Sequence, residues 1–178
     1  MKTILNLLVI AMVILVSCKD SIVENEDKNV GRINFHEGTI DGVKTGDDTT
    51  AVIKLLGKPH WIGLGDFDGF DFNYEDKQKP GMEIIRVTFF NATLNQHPGD
   101  YRVTDISVLN SYSGKSKEGI GLGTTRSEVI SKLGLPITII GDAEVYRLRQ
   151  NETKTNVINI YYETNKRIKQ ISLWSQTN

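Results

Sequence analysis

Apolar residues in this chain recur with two different periods. Val52, Leu55 and Leu56 stand at i, i+3 and i+4, the spacing of a helical stripe, and Val129, Ile130 and Leu133 form a second one. Elsewhere the period is two. Phe70-Asp-Phe-Asn-Tyr74 alternates strictly, and Ile84 to Phe90 is rich in β-branched and aromatic residues. Tyr101 to Leu109 follows a His97-Pro-Gly-Asp100 turn. Val145 to Leu148, Val157 to Tyr162 and Ile168 to Trp174 continue the strand pattern, and Arg32 to His36 reads as a short first strand with Ile33 and Phe35 on one face.

The two helical segments share their punctuation. Gly46 aligns with Gly123, Val52-Ile53 with Val129-Ile130, Leu56-Gly57 with Leu133-Gly134, and Pro59 with Pro136, all at an offset of 77 residues. A fixed offset without gaps marks an internal repeat. Asp48 or Thr49 can cap the first helix, and Thr125-Arg-Ser-Glu128 has capping-box spacing for the second. In each, glycine supplies the stop and proline prevents continuation. The expected fold is therefore α+β: two tandem units, each a short helix followed by about three antiparallel strands, with the helices on one face of the sheet or sheets. The expected segments are 1–17 as a leader, 18–31 as a tether, and the units 32–112 and 113–178, the latter opening on a Ser, Gly and Lys-rich link.

The leader carries the location. Lys2 precedes an apolar run from Ile4 to Val16 broken only by Asn6. At about 13 residues this run is shorter than the roughly 20 that a spanning helix needs, and it suits a signal-peptide core. Leu15-Val16-Ser17-Cys18 looks like a bacterial lipobox, so Cys18, the single cysteine, is the expected lipid (palmitate) attachment site. Acylation by more than one chain gives stable anchoring. Polar, acid-rich residues from Cys18 to Gly31 make a flexible tether, of about 20 Å typical span. The expected location is the bacterial cell envelope, with the outer membrane favoured and the folded part in the periplasm or at the surface. A formal net charge of -1 with scattered cations gives no field for nucleic acid.

No catalytic constellation is legible. His36, His60 and His97 lie apart without a second ligand at helical or hairpin spacing. No nucleophile elbow occurs. Gly114-Lys-Ser116 lacks the leading glycine of a phosphate loop, and the third glycine of Gly119-Ile-Gly-Leu-Gly123 arrives one residue early for a dinucleotide fingerprint. No cofactor is expected. Asp66, Asp68 and Asp71 alternate around Gly69, a weak calcium pattern that lacks a closing glutamate. Aromatic residues remain. Trp61 and Phe67, in what reads as a glycine-rich loop, are candidate partner-binding residues, together with Tyr74, Tyr162 and Trp174. Tyr161 and Tyr162 are adjacent, so in a strand they face opposite ways.

The lipoprotein leader followed by Gly-x-Thr/Ser-x-x-x-Val-x-x-x-Leu-Gly-x-Pro resembles the SmpA/OmlA (BamE)-like family of outer-membrane lipoproteins. The tandem arrangement is similar to that of β-lactamase inhibitory protein. Gly46, Val52, Leu56, Gly57 and Pro59, with Gly123, Val129, Leu133, Gly134 and Pro136, carry the resemblance. It implies a non-enzymatic, lipid-anchored envelope protein that binds another envelope protein, in assembly or as an inhibitor-like module. The alternative is a small-ligand, glycan or calcium-binding lipoprotein using Trp61 and the Asp66 to Asp71 loop.

Overall fold

The structure, a computed structural model, describes residues 31–65, 69–91 and 100–177. Both helices form where the sequence places them. Helix α1 spans Thr49–Leu56, and the Asp48 carboxylate accepts from the Ala51 amide at 2.8 Å. Helix α2 spans Arg126–Leu133 and opens on the full capping box of Thr125 and Glu128. Each ends on a glycine with positive φ, +86° at Gly57 and +81° at Gly134. Val52 and Val129 are fully buried, and Leu56 and Leu133 pack beside them. Leu55, expected in the apolar stripe, is 50% exposed instead.

The fold class is not the expected one. Strands make up 53% of the described residues, and they do not form two tandem helix-plus-strand units. One antiparallel sheet of eight strands dominates: β4 (Trp61–Leu64), β5 (Phe70–Asp76), β6 (Lys79–Asn91), β7 (Tyr101–Leu109), β8 (Thr138–Ile140), β9 (Ala143–Arg149), β10 (Lys154–Tyr162) and β11 (Ile168–Thr177). Their order is β4-β5-β6-β7-β11-β10-β9-β8. The join is the β7–β11 ladder, from Leu109 opposite Gln170 to Ile106 opposite Leu173. Pairing there removes two edges that separate units would expose, and it merges their cores. Two helices of eight residues each cannot bury that much sheet alone. A three-stranded sheet of β1 (Ile33–Asn34), β2 (Thr39–Ile40) and β3 (Val43–Lys44) completes the covering layer.

One core results. Ile33, Phe35, Ile40 and Val43 from the small sheet meet Phe72, Val87, Phe89, Ile106, Ile158, Ile160, Ile171 and Leu173 from the large one. Phe89 lies in the middle of an aromatic group, 4.9 Å from the Phe70 ring and 4.7 Å from that of Phe72. Asn156, fully buried, fastens the small sheet down by donating to the carbonyls of Phe35 (3.0 Å) and His36 (2.6 Å). Gly38 crosses so close that a Cβ there would lie 2.6 Å from Asn156 Oδ1. Arg32 braces the same sheet, pairing with Asp41 at 2.6 Å and lying over the Tyr112 ring.

The glycines at 119 and 123 form turns and not a ligand loop. Gly119 and Gly123 have φ of +75° and +82°, and the Gly123 amide bonds to the Ile168 carbonyl on β11. Helices, small sheet and apolar core all lie on one side of the large sheet. Among the described residues neither the helices nor the small sheet lies on the other side, where side chains such as Val145 and Val157 are buried by their neighbours.

Candidate functional site

That open face is built by the polar partners of the alternating strands. A single row crosses all eight: Trp61, Asn73, Arg86, Ser107, Ser172, Asn159, Val145 and Thr138, each opposite the next. A second row sets Asp71 opposite Thr88, and Thr88 opposite Asp105. Just past that point the β6–β7 register shifts, because β7 carries an extra residue, Thr104. Such a bulge bends its strand and re-aims the neighbouring side chain, here Asp105.

These rows line a depression of about 530 Å³, walled by Asp71, Arg86, Thr88, Phe90, Asp105, Ser107, Tyr161, Gln170 and Ser172 among others. The Ser107 hydroxyl donates to Asp105 Oδ1 at 2.8 Å and lies 2.5 Å from the Ser172 hydroxyl. With the Ser107 hydrogen committed to Asp105, the Ser172 hydrogen points to Ser107. Both serines are buried. Arg86 grips Glu83 at two points, Nε to Oε1 at 2.9 Å and Nη2 to Oε2 at 2.7 Å, and that hydrogen bonding raises its pKa above the ordinary value. Asp71 Oδ1 is sealed from solvent and accepts no hydrogen bond among the described residues.

Asp105 is electrostatically the most displaced group of the face. Burial pushes its carboxyl up to about 6, and the negative charge of Asp71 adds to the rise. Hydrogen bonds from Ser107 and Ser172 and the charge of Arg86 oppose it without cancelling it. Carboxylates displaced in this way by burial and a like charge, inside a concavity, are a signature of binding and reactive sites.

The sequence-based candidates divide. Trp61 opens strand β4, not a loop, and is 39% exposed at one end of the open face. Its indole Nε1 lies 3.1 Å from the Asn73 amide, whose oxygen accepts in the orientation that satisfies both groups. Trp174, half-buried, pairs with Val157 on the same face. Tyr74 belongs to the core at 5% exposure, its hydroxyl donating to the Gly57 carbonyl at 3.2 Å. It is not available to a partner. Tyr162 packs against the core, and its neighbour Tyr161 is the tyrosine that lines the depression. Burial raises the Tyr162 hydroxyl well above its usual range. Cys18, Phe67, Asp66 and Asp68 lie outside the described residues, while Asp71 is placed within strand β5. Among the described residues no three His, Cys, Asp or Glu side chains group to hold a metal ion. His36 and His60 are both exposed, and no helix is long and apolar enough to cross a membrane among those residues.

Sequence reasoning chose Tyr162 where its neighbour Tyr161 lines the depression, and it missed Arg86, Asp105, Ser107 and Ser172. Their signal was present as the polar mates of strand alternation, in Ile85-Arg86-Val87 and Ile106-Ser107-Val108. What it lacked was the strand order that sets them side by side.

No family model matches the chain, and no curated protein does. Three solved structures share part of its form. A DUF4309 family protein from Bacillus subtilis is 15% identical with a TM-score of 0.47, over 77% of this chain and 82% of that one. An extracellular protein containing an SCP domain from Bacillus anthracis is 9% identical with a TM-score of 0.47, over 72% of this chain and 43% of that one. A cysteine-rich secretory protein from Staphylococcus aureus is 10% identical with a TM-score of 0.42, over 72% and 44% respectively. The chain thus spans less than half the length of the latter two.

Proposed function

We propose that this is a lipid-anchored protein of the bacterial envelope that binds another protein with the open face of its eight-stranded sheet. One observation carries the binding reading. The face keeps a carboxylate at raised pKa and a sealed, unanswered carboxylate oxygen around a depression, with Trp61 and Trp174 on the same surface. A face with only a solvating role has no need of groups that are costly to desolvate. Indoles on such a face, Trp61 exposed and Trp174 half-buried, are the usual kind of anchor at a protein interface. The leader from Lys2 to Cys18 and the resemblance of the capped helices to a lipoprotein family support the envelope anchor.

The test is photocrosslinking in cells from single positions of the full chain. Gln170 and Asn159, on the open face, are expected to capture a discrete protein species, whereas Lys54 and Ser131, on the helices, do not. Equal capture from both sides, or none from the face, sinks the reading. Palmitate labelling that survives Cys18→Ala refutes the anchor.

A further inference from the structure

Resting on that reading of the face, we propose that its anchor is a cation site: the depression takes a guanidinium or ammonium group, an Arg or Lys side chain of the partner, between Asp71 and Asp105. Three charged side chains line the depression, Asp71, Arg86 and Asp105. Glu83 already holds Arg86 through Nε and Nη2, so that pair carries no net charge, although the guanidinium keeps its remaining N–H donors. Among the described residues neither Asp71 nor Asp105 forms an ion pair. With Arg86 balanced by Glu83, Asp71 and Asp105 leave the depression with an excess of negative charge that an incoming cation answers.

Geometry selects the kind of cation. Asp71 and Asp105 stand in one cross-strand row with Thr88 between them. At a strand spacing of about 4.8 Å their backbones are roughly 10 Å apart. A single metal ion would need both carboxylates within about 2.5 Å of it. A planar guanidinium carries donors on opposite edges and can answer one carboxylate on each side. Asp71 Oδ1 is an acceptor that nothing described in the protein satisfies, and because it is sealed from solvent a turn of the side chain must present it to the incoming donor. Asp105 is held in place through Oδ1 by the Ser172–Ser107 chain. Phe90 and Tyr161, also in the lining, offer the aromatic wall that a long cationic side chain packs against.

The experiment titrates the full chain, in detergent micelles, with agmatine and n-butylamine, followed by amide chemical shifts. Saturable binding is expected, with shifts centred on Asp71, Phe90, Asp105 and Tyr161. Asp71→Asn and Asp105→Asn should each weaken it at least tenfold, while Glu163→Gln, on an exposed turn, leaves it unchanged. Absence of saturation, equal binding by the Asp71→Asn/Asp105→Asn double variant, or a preference of this depression for calcium or inorganic phosphate overturns the proposal. Loss of fold does not confuse the result, because Asp105→Asn is expected to be the more stable protein at neutral pH. Crosslinking from Gln170 that persists without amine binding removes the cation site and leaves the binding face standing. Amine binding without crosslinking does the reverse.

Discussion

Asp105→Asn offers the sharpest measurement on this fold. The substitution keeps the shape of the side chain and an oxygen to accept from Ser107, and it removes the charge. In the folded protein the Asp105 proton is held up to about pH 6, against an ordinary carboxyl value of 3.8. Between those two values the native state binds more protons than the unfolded chain. Stability therefore falls as pH rises from about 4 to about 6 and then levels off. A shift of about two pK units corresponds to about 3 kcal/mol at most. At pH 4 the variant and the parent should unfold alike. At pH 7.5 the variant should be more stable by up to about 3 kcal/mol, or roughly 6–12 °C in Tm for a chain of this size. Urea unfolding followed by the fluorescence of Trp61 and Trp174 at pH 4, 5, 6 and 7.5 measures this directly. A variant no more stable than the parent at pH 7.5 refutes the reasoning, as does a difference that is constant with pH. A variant that gains stability while losing its ligand would mark Asp105 as a residue kept for binding at the expense of the fold.

Other outcomes follow from the same structure. Gly38→Ala should destabilise by about 2 kcal/mol or more, because positive φ and the Asn156 contact act together, whereas Gly134→Ala meets only the backbone term and should cost about 1 kcal/mol; paired urea curves test the difference. Thr125→Ala removes the capping box and should cost about 1 kcal/mol by the same assay. Phe89→Ala, at a fully buried ring stacked on Phe70, should cost about 3–5 kcal/mol, and a loss below about 1 kcal/mol would contradict its central position. Ile139, 62% exposed on the outer strand β8, is an edge liability. Ile139→Lys should leave stability within about 0.5 kcal/mol and reduce concentration-dependent self-association in light scattering.

Local elements were legible because their signals are local. Asp48, Thr125 and Glu128 specify helix starts by side chains reaching three residues along, and Gly57 and Gly134 specify the stops. Long alternating runs such as Tyr101 to Leu109 became strands with the same bounds. Strands β4 and β8 were missed because they are short, follow prolines, and hold their shape only by pairing with β5 and β9. The repeat suggested two bodies, since a sequence reports similarity and not which edges meet.

The sequence by itself determined the capped helices and the alternation of the inner strands. Only the tertiary structure decided that β7 pairs with β11, and with it the single sheet, the shared core and the open face. It also decided which of two adjacent tyrosines faces out, and that Asp71, Arg86, Asp105, Ser107 and Ser172 become neighbours. The physical reason is range. Capping and alternation act within a few residues, whereas the site depends on ladders joining distant residues such as Ser107 and Ser172, 65 positions apart.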